Sequence, residues 1–175
     1  MGSGEVNAAV ADAGPIIHLG EIGCLFVLKV FGVVHIPNSV WEETVGRERV
    51  QETDVSSLNN VRMHTVSPAY LSQFVRDNNL GGLQAGEVEC LCLCREMNVA
   101  VLLTDDLAVR ETAHRLNLTP VGSLGIVVRA YRAGLLSRSD AEHYLAELYE
   151  VSSLFVTQAI VEMAIQQLRI QSGQS

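Results

Sequence analysis

Apolar runs alternate with amphipathic segments along this chain, and Gly, Pro or Asn residues separate them. The clearest run is Val99-Ala-Val-Leu-Leu103, which has no polar alternation and therefore predicts a strand that is buried on both faces. It leads directly into Thr104-Asp105-Asp106, and a helical pattern then covers residues 107–117. A buried strand that runs into a helix is the unit from which parallel sheets are built.

The same pattern predicts the other elements. Further strands are expected at residues 7–12, 33–36 and 61–66 and near 120–121. Helices are expected at residues 15–19, 25–31, 40–45, 68–78, 84–97, 107–117, 122–133, 139–149 and 156–170. This order predicts an α/β fold, namely a three-layer α/β/α arrangement around a central parallel sheet of about four to five strands.

Local signals refine several helix boundaries. Asn38 or Ser39 is the expected cap of the helix at 40–45, and Ser139-Asp-Ala-Glu142 has the pattern of a capping box. Gly134 is expected to end the helix before it. In the last helix, the predicted apolar face consists of Ile160, Met163, Ala164 and Leu168.

Length and composition narrow the class of protein. A chain of 175 residues predicts one domain, 1–175, with flexible ends at 1–5 and 171–175. The net charge is −8, which is the wrong sign for a broad basic face that binds nucleic acid, although bound metal ions can supply positive charge locally. No segment is apolar enough to predict a membrane helix, and four cysteines without a C-x-x-C pattern predict buried, reduced thiols in a cytoplasmic protein.

Acidic residues follow two of the predicted buried strands. Asp12 ends the first strand, and Asp105 follows the strand at 99–103. Side chains at the carboxyl ends of parallel strands reach one crevice, so we expect these two carboxylates to meet. The alternatives are a turn residue at Asp12 and a helix cap at Asp106.

Two glutamates each share a side of their predicted helix with apolar residues. Glu43 shares a helix side with Val40, whereas Glu42 turns outward. Glu87 lies on the apolar stripe of its helix, where a carboxylate is costly unless it is paired, protonated or bound to a metal ion. A solvated helix surface remains the alternative for Glu43, and a partly exposed first-turn position remains the alternative for Glu87.

Four carboxylates at one crevice would repel each other strongly without a cation. Oxygen ligands of this kind select Mg²⁺ or Mn²⁺ over zinc. A bound divalent cation of this type suits phosphodiester hydrolysis, because it lowers the pKa of a water molecule and stabilises the leaving oxygen.

Several segments in order resemble the PIN domain family, the ribonuclease fold of VapC-type toxins, and in particular the subfamily with a D-x-G-P-L-I first-strand motif. The matching segments are Asp12-Ala-Gly-Pro-Ile-Ile-His-Leu, Ile36-Pro-x-x-Val-x-x-Glu43, Gly86-Glu87-Val-Glu, Leu103-Thr-Asp105-Asp106 with Ala108-x-Arg110, and Gly122-Ser-Leu-Gly125-Ile with Ala130-x-x-x-Gly134-Leu-Leu. Many PIN proteins have Asp where this chain has Glu87. The resemblance extends from about residue 8 to the final helix.

The resemblance implies a metal-dependent endoribonuclease, as in the toxin of a toxin–antitoxin pair, with RNA as substrate. It assigns Asp12, Glu43, Glu87 and Asp105 as catalytic metal ligands for Mg²⁺ or Mn²⁺, with Asp106 as an auxiliary acid. The implied partners are an antitoxin protein and a second copy of the chain.

Two residues near the acids are weaker candidates for contact with substrate. Arg110 is expected either to touch a phosphate or to pair with a glutamate on its helix, and Ser123 either to direct a helix at phosphate or only to cap that helix. The histidines, including His18, are expected to be packed or solvated.

Other function classes compete with a nuclease. A PIN-fold interaction module without activity would have the same acids, and its stability would not respond to Mg²⁺ or Mn²⁺. A receiver-like domain is disfavoured because the acidic pair follows the fourth strand rather than the first. A D-x-D phosphatase is disfavoured because Asp12-Ala-Gly14 lacks the second acid.

Overall fold

The computed structural model describes residues 7–171, and at its centre lies a sheet of five parallel strands in the order β3-β2-β1-β4-β5. The strands are β1 (Ala8–Ala11), β2 (Val33–Pro37), β3 (Val61–His64), β4 (Val101–Leu103) and β5 (Thr119–Val121). The predicted flexible ends lie outside the described residues, apart from the backbone of residue 171.

The burial of each strand agrees with its position in the sheet. β1 lies in the middle, and its residues Ala9, Val10 and Ala11 have no exposed surface, as its lack of polar alternation predicts. In the register, Ala11 pairs with Leu103 of β4, so these two strands end at the same level. β3 is an edge strand that is partly exposed, in agreement with the alternating pattern at residues 61–66.

Helices flank both faces of the sheet, which confirms the predicted three-layer fold. The α-helices are α1 (Ala13–Glu21), α2 (Asn38–Trp41), α3 (Glu52–Ser56), α4 (Pro68–Asn78), α5 (Ala85–Glu96), α6 (Leu107–Arg115), α7 (Ser123–Arg132), α8 (Arg138–Glu150) and α9 (Gln158–Gln171). A 3₁₀ helix spans Leu25–Val30, and a π-helical turn at Glu42–Gly46 continues α2. α5 packs on the central strands β1, β2 and β4, and it also contacts α2 and α4. α7, α8 and α9 pack on one another.

Two predicted caps are wrong. Pro37 precedes the first residue of α2, so neither Asn38 nor Ser39 caps that helix through its side chain. α8 starts earlier than the capping-box pattern predicts, because the Ser137 hydroxyl, and not that of Ser139, accepts a hydrogen bond from the backbone N of Asp140 at 3.1 Å. Gly134 has a φ of 77° just beyond α7, which agrees with its predicted role.

The buried face of α9 differs from the predicted one. Val161, Ala164 and Leu168 are buried against the core, whereas Ile160 and Met163 are largely exposed. The sequence admits both stripes because apolar residues occupy adjacent positions of the helix, and packing on α7 and α8 selects one of them. All four cysteines are free and buried, as predicted.

None of the helices within residues 7–171 combines the length and the apolar character that a bilayer-spanning segment needs.

Buried His35, which contacts partly buried His64, should make the stability of the fold depend on pH. His35 Nδ1 lies 2.8 Å from His64 Nε2, and the pKa of His35 is lowered mainly by burial, and further by the charges of His64 and Arg62. The unfolded chain therefore binds a proton near the ordinary pKa of 6.5, while folded His35 is still neutral, so stability decreases as pH falls below 6.5. We expect His35→Gln to reduce this acid-side decrease.

Thermal melts between pH 5.5 and 7.5 would test this expectation. His114→Gln is the matched control, because His114 is exposed. An equal slope of melting temperature against pH in the wild type and in His35→Gln would contradict it.

Candidate functional site

A cleft of about 360 Å³ opens at the carboxyl end of the sheet, and acidic side chains from several elements line it. Asp12 follows β1 and Asp105 follows β4, so the carboxylates after the two adjacent strands share one crevice, as predicted. The acids that line the cleft are Asp12, Glu43, Glu87, Asp105 and Asp106. The cleft is therefore a candidate metal-dependent active site.

Asp12 is the most deeply buried of these acids, with 9% of its surface exposed. It caps α1 by accepting a hydrogen bond from the backbone N of Ala13 at 2.8 Å, and the Thr104 hydroxyl donates to its Oδ2 at 3.1 Å. Burial raises the pKa of this carboxyl from 3.8 to about 6, against the effect of these two hydrogen bonds, and the charges of Glu87 and Glu43 raise it further. A cation in the cleft would reverse this effect.

Glu43 reaches the cleft from a widened helical turn rather than from the regular helix that its spacing predicts. It belongs to the π-helical turn at Glu42–Gly46, next to buried Thr44, whose hydroxyl donates to the carbonyl of Val40 at 2.7 Å. π turns re-aim side chains and often occur at functional sites. Glu42 is exposed, in agreement with its predicted outward direction.

Glu87 is both a helix-capping residue and part of the cleft lining. Its Oε2 accepts a hydrogen bond from the backbone N of Gln84 at 2.9 Å, as in a capping box at the start of α5. Desolvation raises its pKa, the hydrogen bond from Gln84 lowers it, and the charges of Asp106 and Glu43 raise it. Glu87 is thus a partly exposed first-turn residue and also lines the crevice, so the two alternatives for this residue do not exclude each other.

Asp105 is held by three short hydrogen bonds. Its Oδ2 accepts from the Ser123 hydroxyl at 2.6 Å and faces His18 Nδ1 at 2.7 Å, and its Oδ1 accepts from the backbone N of Ser123 at 2.7 Å. A Cβ at Gly122 would stand 2.8 Å from Oδ1, so glycine is needed there for this arrangement. A carboxylate has about four acceptor positions, and these contacts leave one of them free.

The remaining predicted residues have other contacts. Asp106 is exposed and caps α6, since its Oδ1 accepts from the backbone N of Val109 at 2.9 Å. Ser123 is fully buried, and its hydroxyl and backbone N donate to Asp105. Gly122 rather than Ser123 precedes α7 as its cap, so the predicted capping role of Ser123 is wrong, and its role in substrate binding stays a prediction. Arg110 donates to the carbonyl of Thr104 at 3.3 Å and is not among the residues that line the cleft. Its contact with phosphate stays a prediction.

Sequence reasoning missed His18 and Thr104. His18 was assigned a packed or solvated role, yet its ring lines the cleft and contacts Asp105. The spacing contained a signal for this position. His18 stands four residues after Gly14, which also lines the cleft, so both residues lie on the same side of α1. Thr104 is fully buried, and its hydroxyl links Asp12 to the backbone N of Asp106.

The far rim of the cleft comes from the loop between α8 and α9. Ser153, Leu154 and Phe155 line the cleft there, and the Phe155 ring is 97% exposed. The loop is fixed to the end of α1, because the backbone N and the hydroxyl of Ser153 donate to the Glu21 carboxylate at 2.7–2.9 Å.

The donor chemistry of the cleft fits a hard divalent cation. Its described lining offers carboxylate oxygens and no thiol, and burial is the main reason why the pKa of Asp12 is raised, an effect that a bound cation would oppose. Within residues 7–171, however, no three His, Cys, Asp or Glu side chains stand close enough together to hold an ion as they are placed.

Comparison with known proteins gives one match. A family model described as a PIN domain matches residues 8–169. The searches of curated proteins and of solved structures returned no match.

Proposed function

The chain belongs to the PIN domain family, and from this premise we propose that it is a divalent-metal-dependent endoribonuclease that hydrolyses RNA phosphodiester bonds. The family as a whole has a nuclease-like fold. The observation that supports the proposal is the convergence of Asp12, Glu43, Glu87 and Asp105, each from a separate element, on one cleft at the carboxyl edge of the sheet.

The proposed roles follow from the contacts of each acid. Asp12, Glu43 and Glu87 would hold Mg²⁺ or Mn²⁺, and Asp105 would add the acceptor position that its hydrogen bonds leave free. When bound, the cation supplies an activated water molecule and stabilises the leaving oxygen. Ser123 and His18 orient Asp105, and the Thr104 hydroxyl orients Asp12, so two of the four carboxylates are fixed in advance. Asp106 contributes negative charge as an auxiliary acid.

Cleavage assays with Glu87→Gln test this function directly. Gln at this position keeps the capping box, so the start of α5 is preserved while one anionic ligand is lost. We expect the wild type to cut RNA in Mn²⁺ or Mg²⁺ and not after chelation, and Glu87→Gln to lose about 100-fold or more of the rate. Glu42→Gln is the matched control, because Glu42 is exposed beside Glu43. Equal rates for Glu87→Gln and Glu42→Gln would argue against the proposed ligand set.

A second candidate is a PIN-fold interaction module without activity. It is favoured by one observation: Asp105 and Glu87 already have protein partners, and no ligand trio is assembled within residues 7–171. A titration with Mn²⁺ or Mg²⁺ that follows the melting temperature distinguishes the enzyme from the module without activity. A metal-binding enzyme should gain about 2.7 kcal/mol at an ion concentration 100-fold above Kd, which corresponds to about 5–10 °C. No shift with Mn²⁺ or Mg²⁺, together with no cleavage, would favour the silent module.

The proposal extends to partners and location. We propose that the chain forms a homodimer and pairs with an antitoxin protein, as a VapC-type toxin does. Support comes from Ile160, Met163 and Ile170, which follow helical spacing along α9 and are exposed. The apolar segment at 25–31 supports this proposal less, because its residues Leu25, Val27, Leu28 and Phe31 are buried in the core. Four free cysteines support a cytoplasmic location.

A further inference from the structure

We propose that Phe155 is a base-stacking residue, on which an unpaired nucleobase of the substrate lies while the adjoining phosphate occupies the acidic part of the cleft. This inference rests on the proposed nuclease function and adds to it a residue that selects for unstacked bases. Phe155 is 97% exposed, so its side chain contributes little to the stability of the fold, and yet the residue lines the cleft. Bases in single-stranded RNA are bound by stacking on such rings.

The charge of the cleft favours a contact that does not depend on basic side chains. None of the described residues that line the cleft is Lys or Arg, and the lining holds five carboxylates. Counterion release from the phosphate backbone, the usual source of affinity for nucleic acid, is therefore missing at this surface. Bound cations can hold one phosphate, and stacking on Phe155 would add affinity that needs no basic side chain in the cleft lining.

The loop presents the ring in a fixed place. Ser153 is tied to Glu21 through its backbone N and its hydroxyl. On the other side, the Ser152 hydroxyl donates to the carbonyl of Leu148 at 2.6 Å and accepts from the backbone N of Leu154 at 3.2 Å. Phe155 follows directly, so the loop backbone that carries it is fixed next to the cleft, which lowers the entropy that the loop loses when a base binds.

Kinetics of Phe155→Ala on a single-stranded RNA oligonucleotide in Mn²⁺ test the proposal. We expect KM to rise about 5- to 100-fold with kcat nearly unchanged, and Phe155→Trp to restore KM. Cleavage of the same sequence as a duplex should be slow and insensitive to Phe155→Ala, because its bases are already stacked. Val151→Ala is the matched control, since Val151 is exposed in the same loop and does not line the cleft. The melting temperature should be unchanged in all three variants.

Fluorescence anisotropy with labelled single-stranded RNA in Mg²⁺ separates this proposal from the nuclease function. If the wild type binds RNA without cutting it and Phe155→Ala weakens binding, the stacking role stands and the nuclease proposal fails. If the wild type cuts RNA and Phe155→Ala has an unchanged KM, the stacking role is wrong and the nuclease proposal stands. Absence of both binding and cleavage overturns both. An unchanged KM accompanied by loss of self-association on size exclusion would assign Phe155 to a protein contact instead.

The salt dependence of binding gives an independent check. With no basic side chain in the lining, the wild-type Kd should change less than about tenfold between 50 and 200 mM salt, compared with about 10³-fold or more for a protein that makes six phosphate contacts. A steep dependence that Phe155→Ala leaves unaltered would place RNA on another surface and overturn the proposal.

Discussion

Asp12→Asn is expected to raise the melting temperature of the metal-free protein while abolishing RNA cleavage. At pH 7 to 8 the wild-type carboxylate is ionised in a buried site, and its pKa of about 6 compared with 3.8 in the unfolded chain corresponds to a penalty of about 1–3 kcal/mol. Asn removes this penalty and still accepts from the backbone N of Ala13, and the Thr104 hydroxyl can accept from its amide. At about 2–4 °C per kcal/mol, the shift is measurable by calorimetry.

The size of this stability difference depends on pH and on bound metal. Between pH 3.8 and 6 the folded protein binds more protons at Asp12 than the unfolded chain does, so wild-type stability falls as pH rises through this window. The advantage of Asp12→Asn should therefore disappear near pH 4. In saturating Mg²⁺ or Mn²⁺ the wild type regains stability by binding the ion, and the variant does not. If Asp12→Asn is less stable than the wild type at pH 8 without metal, its carboxylate is already compensated and the electrostatic account is wrong.

Asp105→Ala is expected to have the opposite effect and to destabilise the protein by about 3 kcal/mol or more. The change leaves His18, the Ser123 hydroxyl and the backbone N of Ser123 without an acceptor, and Ser123 is fully buried. Each lost hydrogen bond to a charged acceptor costs about 1.5–3 kcal/mol, with incomplete additivity because the bonds share one partner. Urea unfolding measures the loss.

The neighbouring acid provides the control. Asp106→Ala removes one cap hydrogen bond from an exposed residue, so we expect a cost of only about 1 kcal/mol. Ser123→Ala should fall between the two, because it keeps the backbone donor. Equal costs for Asp105→Ala and Asp106→Ala would show that the network around Asp105 does not stabilise the fold.

The sheet and most helices were predictable because their signals are local. Buried strands such as β1 and β4 have unbroken apolar runs, and α4 starts at Pro68 and ends at Asn78, the predicted bounds. The gathering of Asp12 and Asp105 followed from parallel topology, since side chains that follow adjacent parallel strands share one edge.

The details of the site were not predictable because they depend on contacts between distant residues. Ser123 and Asp105 are 18 positions apart, and His18 and Asp105 are 87 positions apart. The spacing of residues within one helix or strand therefore cannot reveal that these side chains contact each other. The π turn at Glu43 also has no signature in a single sequence. The predicted apolar face of α9 includes exposed Ile160 and Met163 for a related reason: the pattern marks apolar positions, and only tertiary packing decides which of them are covered.

If the cleft binds RNA as proposed, the length of α1 fixes the distance between the two parts of the cleft that contact it. Asp12 caps the first turn of this helix, and Glu21 at its last residue anchors the loop that presents Phe155. The helix has nine residues with a rise of 1.5 Å each, so it separates Asp12 from Glu21 by about 13 Å. Inserting or deleting one residue within the helix would rotate one end by about 100° relative to the other. The proposed contacts with the phosphate and with the base would then no longer fit one substrate, although every contacting side chain would still be present.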